Sequence, residues 1–274
     1  MKRQIILSTL IAVAMTAGAK VTLPKIFSNG MVMQQQTDAN IWGKANANAT
    51  VKISTSWNKK TITVKSDSEG EWKAKVQTPQ AGGPYSITFS DGEKTTLDNI
   101  LVGELWICSG QSNMEMPMKG FKNQPVENAV EDILHSGDKE MRLFTVKRTS
   151  KFAPVDDVVG EWKEACPESV RDFSATAYYF GRELRSMLGV PVGLIVTSWG
   201  GSSCEAWMNR DWLKAFPQIE LPTSQETIKS KNRTATVLYN GMLRPLIGVS
   251  MRGVIWYQGE ENVSRSRYYA DLFS

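Results

Sequence analysis

Histidine is nearly absent from this chain: His135 is the single one among 274 residues. Any imidazole base drawn from these residues therefore has one source. Cysteine is scarce too, with Cys108, Cys166 and Cys204 the three present. An odd count leaves at least one thiol unpaired, which rules out a fully paired disulfide framework. Cys108 and Cys204 sit in strand-like or loop contexts and read as small buried apolar residues rather than nucleophiles. No block of Lys or Arg occurs, so a net charge of +4 gives no footprint for nucleic acid. No apolar run is long enough to span a bilayer as a permanent helix. Low-complexity tracts and internal repeats are missing as well. What is left is an ordinary globular composition, 41% hydrophobic and long enough for two domains.

The one concentrated apolar stretch, residues 5–15, follows Met1-Lys2-Arg3-Gln4 and precedes Thr16-Ala17-Gly18-Ala19. A positive start, a short apolar core and a small-x-small site are the three parts of a secretory signal peptide. Cleavage is expected after Ala19, leaving residues 1–19 as the leader. Lys2 and Arg3 depart with it and no acid does, so the net charge falls from +4 to +2. No cysteine follows the cleavage site, so no lipid anchor is expected. The mature chain reads as secreted or periplasmic.

Residues 20–98 carry short alternating runs at 50–54, 60–64, 71–76 and 85–89, separated by Asn-, Asp- and Gly-rich turns. That spacing predicts an all-β, sandwich-like domain. Trp42, Trp57 and Trp72 within it read as core. From residue 99 the pattern changes. Apolar runs at 105–108, 141–146, 192–196 and 253–257 alternate with helix-like stretches at 124–134 and 175–188. The second stretch places Ala177, Phe180, Gly181, Leu184 and Leu188 on one face. Strands alternating with helices predict a parallel sheet in a three-layer α/β domain over 99–274. Residues 266–274 read as the opening turns of another amphipathic helix, and the last predicted strand is left as an edge. The sequence therefore reads as a fragment lacking the C-terminal part of that domain.

Chemistry concentrates at the predicted strand ends. Leu105-Trp-Ile-Cys108 stops abruptly in Ser109-Gly-Gln-Ser-Asn113, delivering a hydroxyl to the carboxyl end of a buried strand. In open α/β sheets ligands bind at such ends, and Ser112, after a glycine that allows a sharp turn, is a candidate nucleophile. A second end is Ser198-Trp-Gly-Gly-Ser202, and a third is Trp256-Tyr-Gln-Gly-Glu-Glu-Asn262. Taken singly, each is explained by turn formation and loop bonding. Together their residue types fit acyl transfer, in which an oxyanion needs preorganised N–H donors. A bare amide from Gly200 or Gly201 and a side-chain amide from Gln258 or Asn262 meet that requirement. Glu260 and Glu261 are the adjacent acids of these loops, fit either to bond them together or to act as a base.

These blocks resemble the sialate O-acetylesterase family of the SGNH hydrolases. The likeness is carried by Gly110-Gln-Ser-Asn-Met114, Ser198-Trp-Gly-Gly201 with Glu205-Ala-Trp207, and Trp256-Tyr-Gln-Gly-Glu260 with Asn262. It extends to Leu238-Tyr-Asn-Gly-Met242 and covers nearly the whole mature chain. The resemblance implies a flavodoxin-like sheet, Ser112 as nucleophile and an acetyl-serine intermediate. It implies an oxyanion hole from the Ser112 amide, the Gly200-Gly201 pair and a side-chain amide, Gln258 before Asn262. Gln111, Asn113, Trp199 and Glu260 are then expected at the substrate. Trp207 and Trp256 also flank the motifs, where stacking on sugar and packing beneath the site are both open. No metal or organic cofactor is expected. The partner is an acetylated sialic acid or another acetylated glycan, and Arg244 and Arg252 are candidates for meeting a sugar carboxylate.

The family takes its base from an Asp-x-x-His block near the C-terminal end of the α/β domain. Asp132-Ile-Leu-His135 matches that spacing but lies on the helix after the nucleophile strand. There i,i+3 neighbours share a face and a cation at the helix C-terminus is favoured by the macrodipole. A structural role for His135 is expected, with the base beyond residue 274. Two other functions stay open: an acetylxylan or plant-glycan esterase, and a glycan-binding protein with a degenerate hydrolase domain.

Overall fold

The computed structural model describes residues 20–273. The leader expected over 1–19 lies outside them. Eleven strands occur among the described residues. Seven belong to the N-terminal part: β1 (Val32–Gln34), β2 (Asp38–Lys44), β3 (Thr50–Thr55), β4 (Thr61–Lys65), β5 (Glu71–Gln77), β6 (Gly82–Ser90) and β7 (Lys94–Gly110). The others are β8 (Asp138–Thr145), β9 (Trp162–Ala165), β10 (Val192–Ser198) and β11 (Gly253–Tyr257). The helices are α1 (Ser112–Glu115), α2 (Ala129–Leu134), α3 (Pro167–Val170), α4 (Ala175–Leu188), α5 (Arg210–Leu213) and α6 (Ser266–Phe273). The fold is mixed α/β, built on a sheet with both parallel and antiparallel pairs.

β7 organises the molecule. Its first half pairs antiparallel with β6 and parallel with β1. Its second half pairs parallel with β10 on one side and with β11 on the other. β8 continues the parallel array beyond β10, and β9 closes that edge antiparallel. The boundary expected at 98/99 thus falls inside a single strand. β2 and β5 form a separate two-stranded sheet. Its inner residues Ile41, Trp72 and Val76 share a core with Val51, Ile53, Ile87 and Phe89 of the larger sheet. Trp42 and Trp57 pack against the same core. The strict alternation of β5, buried at every second residue, is what a half-buried strand requires.

Over the second half of β7 and over β10 both sheet faces are covered, so these strands read as continuous apolar runs, whereas the edge strand β11 keeps Val254 and Tyr257 exposed. Period two still sorts the side chains of β7. Leu105 and Ile107 join the core of Trp207, Leu238 and Met242, whereas Cys108 and Trp106 join that of Ala177 and Tyr178 on α4. α4 starts at Ser174, whose hydroxyl accepts the Ala177 N–H at 3.1 Å, and stops at left-handed Gly189. Of its expected inner face, Leu188 is half exposed, because the helix ends there and has run past the sheet. The helix predicted over 124–134 forms only as α2: Pro125 and left-handed Asn128 hold the preceding residues in turns. The other face of the sheet departs from a helical layer. Residues 204–249 cover it with short turns, including a π-turn at Tyr239–Leu243.

None of the three cysteines forms a disulfide. Cys108 and Cys204 are buried, and burial pushes the Cys108 thiol well up and that of Cys204 up to about 12. Both are protonated and inert at neutral pH. No helix among the described residues is long and apolar enough to cross a membrane.

Candidate active site

After β8 the chain forms the edge strand β9 and returns through α4 to β10, and the connection after β10 crosses to β11 on the far side of β7. The strand order therefore reverses at the carboxyl end of β7, the position where open α/β sheets bind ligands. β7 ends at Gly110, whose φ of +144° and contact with β11 exclude a side chain. A Cβ there would lie 2.1 Å from the Tyr257 carbonyl. The chain then turns through Gln111 into α1 and presents Ser112, half-buried, at its first residue. As the first residue of a helix, Ser112 has no intrahelical acceptor for its N–H.

All three strand ends meet around this serine. The Trp199 N–H donates to the Gly110 carbonyl at 3.1 Å. The Gly200 backbone packs on Ser112, since a Cβ on it would sit 3.6 Å from the Ser112 Cβ. The Gln111 carboxamide oxygen, in a buried side chain, accepts N–H groups from Gly259 (3.1 Å) and Glu261 (3.3 Å). Asn113 donates its amide to Glu260 at 2.6 Å, tying the first strand end to the third. Gln111, Asn113 and Glu260 are thus at the site, and each is engaged with a neighbouring loop.

The two amides expected in the oxyanion hole are directed inward. Gln258 Nε2 donates to the Ser202 carbonyl at 3.0 Å and to Asn262 Oδ1 at 2.8 Å, engaging both its protons. Asn262 is 1% exposed; its amide donates to Glu205 at 3.0 Å and its oxygen accepts the Cys204 N–H at 2.9 Å. These side chains lock the third strand end onto the loop that carries Gly200 and Gly201. Burial works against the Glu205 charge. The Asn262 amide, a backbone N–H and Arg265 at 3.2 Å outweigh it and hold the carboxyl below its ordinary value.

Two groups not expected from the sequence stand next to the nucleophile. Glu115, three residues after Ser112 on the same turn, accepts the Gly200 N–H with its Oε2. Its Oε1 accepts from Arg148 at 2.7 Å. Arg148 in turn lies 5.8 Å from the ring centroid of half-buried Trp199. The i,i+3 relation to Ser112 was the one signal available for Glu115. Trp207 is core, with its indole N–H on Ser202, and meets Trp256 edge-on at 6.1 Å, so both pack beneath the site.

Other expected groups lie elsewhere. Arg252 pairs with Glu104 at 3.7 Å near the opposite end of the parallel strands, and Arg244 lines a groove beside Trp42. His135 caps α2, is largely exposed, and places Nδ1 2.9 Å from the Glu131 carbonyl of its own helix. Asp132 is turned away from it, accepting from Tyr179 (2.7 Å) and Arg182 (2.6 Å). The Tyr179 hydroxyl, followed by Arg182, holds the Asp132 carboxyl below its usual range. The two residues form no catalytic pair. Among the described residues no cluster of metal-ligating side chains occurs.

Comparison with known proteins places these features in context. A family model for sialic acid-specific acetylesterases, a group of carbohydrate esterases, matches residues 102–273. The sialate O-acetylesterase of Pongo abelii is 31% identical over 282 residues, covering 94% of this chain and 52% of its own length. That of Homo sapiens is 30% identical with the same coverage. The crystal structure of a carbohydrate acetylesterase from Xanthomonas citri matches with a TM-score of 0.78 and 35% identity, over 89% of this chain and 52% of that one. The chain spans about half the length of the curated relatives it matches.

Proposed function

Because this chain belongs to the sialic acid-specific acetylesterase family of carbohydrate esterases, we propose that it removes O-acetyl groups from acetylated sialic acids or related glycans through Ser112. The serine oxygen attacks the acetyl carbonyl carbon, and the carbonyl π electrons move onto oxygen. Collapse of the tetrahedral species breaks the bond to the sugar oxygen, which leaves as a hydroxyl carrying the proton that Ser112 gave up on attack. Water then attacks the acetyl-serine and releases acetate. The Ser112 N–H and one glycine N–H of the Gly200-Gly201 pair are the donors for the oxyanion. Gln258 and Asn262 act one step back, by holding the glycine loop in place. We propose with it the SGNH-hydrolase form of the α/β fold, and, from a leader over residues 1–19, secretion or periplasmic residence.

One observation carries the reading. A carboxylate oxygen, that of Glu115, already rests on the Gly200 N–H against Ser112. The position next to the nucleophile is therefore one that receives negatively charged oxygen, which is what acyl transfer demands of it. A plant-glycan esterase would use the same atoms on another sugar.

Acetate release by the native protein tests the proposal. Ser112→Ala is expected to lower kcat by about 10³-fold or more, the scale on which serine hydrolases lose activity with their nucleophile. His135→Ala is expected to leave it unchanged. Activity retained in Ser112→Ala would refute the assignment, and activity lost in His135→Ala would restore His135 as the base. A protein that binds acetylated glycan and never releases acetate would be a glycan-binding module.

A further inference from the structure

A cleft of about 590 Å³ opens between α1 and the carboxyl ends of β8 and β10, reaching Glu115, three residues after Ser112. Glu115 and Ser198 form its inner wall; Ser198 is in register with Gly110, two residues before the nucleophile. Its charged lining is Glu115, Lys119, Lys122, Lys147, Arg148 and Asp172. Both acids are already neutralised. Asp172 pairs with Lys119 and with Arg171, and Glu115 is held by Arg148. Among the described residues, Lys122 and Lys147 have no acid within ion-pair distance, so the cleft keeps an excess of positive charge within reach of the helix that carries Ser112. Phe121, 37% exposed, and the Trp199 ring under Arg148 supply aromatic surface next to these cations.

A second cavity, of about 620 Å³, is different in sign. Four carboxylates (Glu205, Glu220, Glu226 and Glu261) face three cations there. A carboxylate-bearing sugar is favoured in the first cleft and disfavoured in the second. On the reading of Ser112 as an acetyl-transferring nucleophile, we propose that Lys122 and Lys147 form the subsite for the carboxylate of an acidic acetylated sugar. They would set the preference for charged over neutral glycans. Charge-assisted hydrogen bonds have the strength to discriminate at this level.

Equilibrium binding to the catalytically silent Ser112→Ala native protein tests this without relying on turnover. The probes are an O-acetylated sialic acid and its methyl ester, which removes the charge and keeps the sugar. The acid is expected to bind about tenfold tighter or more, as one charged hydrogen bond allows, with the gap narrowing as salt rises. Adding Lys122→Gln and Lys147→Gln is expected to bring the two affinities together. In the active protein the same pair of substitutions should raise KM for the acid about tenfold with kcat little changed. Equal affinity for acid and ester, or a preference that survives the double substitution, would overturn the subsite while leaving the esterase reading intact. An acid preference in a native protein that hydrolyses no acetyl ester, 4-nitrophenyl acetate included, would uphold the subsite and overturn the esterase reading.

Discussion

Glu205 is a carboxylate 6% exposed to solvent, kept ionised by Asn262 and Arg265. Because its folded value lies below the ordinary one, it contributes stability that is fully present above the ordinary carboxylate range. That contribution is lost as pH falls through the lower folded value. Thermal midpoints of the native protein and Glu205→Gln should therefore differ most near neutral pH, and the gap should close as pH is lowered. A gap independent of pH would mean that the charge is not the stabilising feature. At this scale the sequence shows which chemistry is present more readily than where each atom points. Ser112 and Gly200 were legible because strand ends announce themselves by an apolar run breaking into Ser and Gly. Gln258 and Asn262 were legible as amides, but whether an amide faces the ligand or the loop behind it depends on partners such as Ser202, 56 residues away. Arg148 reaches Glu115 across 33 residues, and nothing local signals that pairing.

At the level of elements, the strand-to-helix turn at Gly110 fixes where the serine stands. Gly110→Ala would place a methyl group on the Tyr257 carbonyl and strain a backbone at φ +144°. A loss of more than about 1 kcal/mol in denaturant unfolding is expected, together with a lower kcat from displacement of Ser112. Unchanged stability would show that β11 is free to move aside. Runs with strong periodicity were readable: α4 matches its expected span residue for residue, as does β11. β1 was not, since three consecutive buried residues carry no alternation. β9 has four residues and exists because β8 offers an edge. The π-turn at Tyr239–Leu243 lies in a segment whose residues form a motif without a helical period.

At the level of the whole molecule, β7 belongs to both the N-terminal strands and the α/β sheet. Composition shifts near residue 99 without any break in hydrogen bonding, which is why a boundary read from patterning falls within a strand. Because unfolding either half strips partners from the other, we expect one calorimetric transition with matching calorimetric and van't Hoff enthalpies. Two separate transitions would mean that β7 is a linker in energetic terms. The same strand carries Ser112 at its end, so the fold and the chemistry depend on one element. The most direct measurement of that chemistry is to mix the native protein with an acetylated sialic acid, quench in acid within the first turnovers, and map acetylation by peptide mass spectrometry. We expect one acetyl group on Ser112, absent in Ser112→Ala. Acetate release with no acetyl on Ser112, or with the label on another residue, would contradict the mechanism.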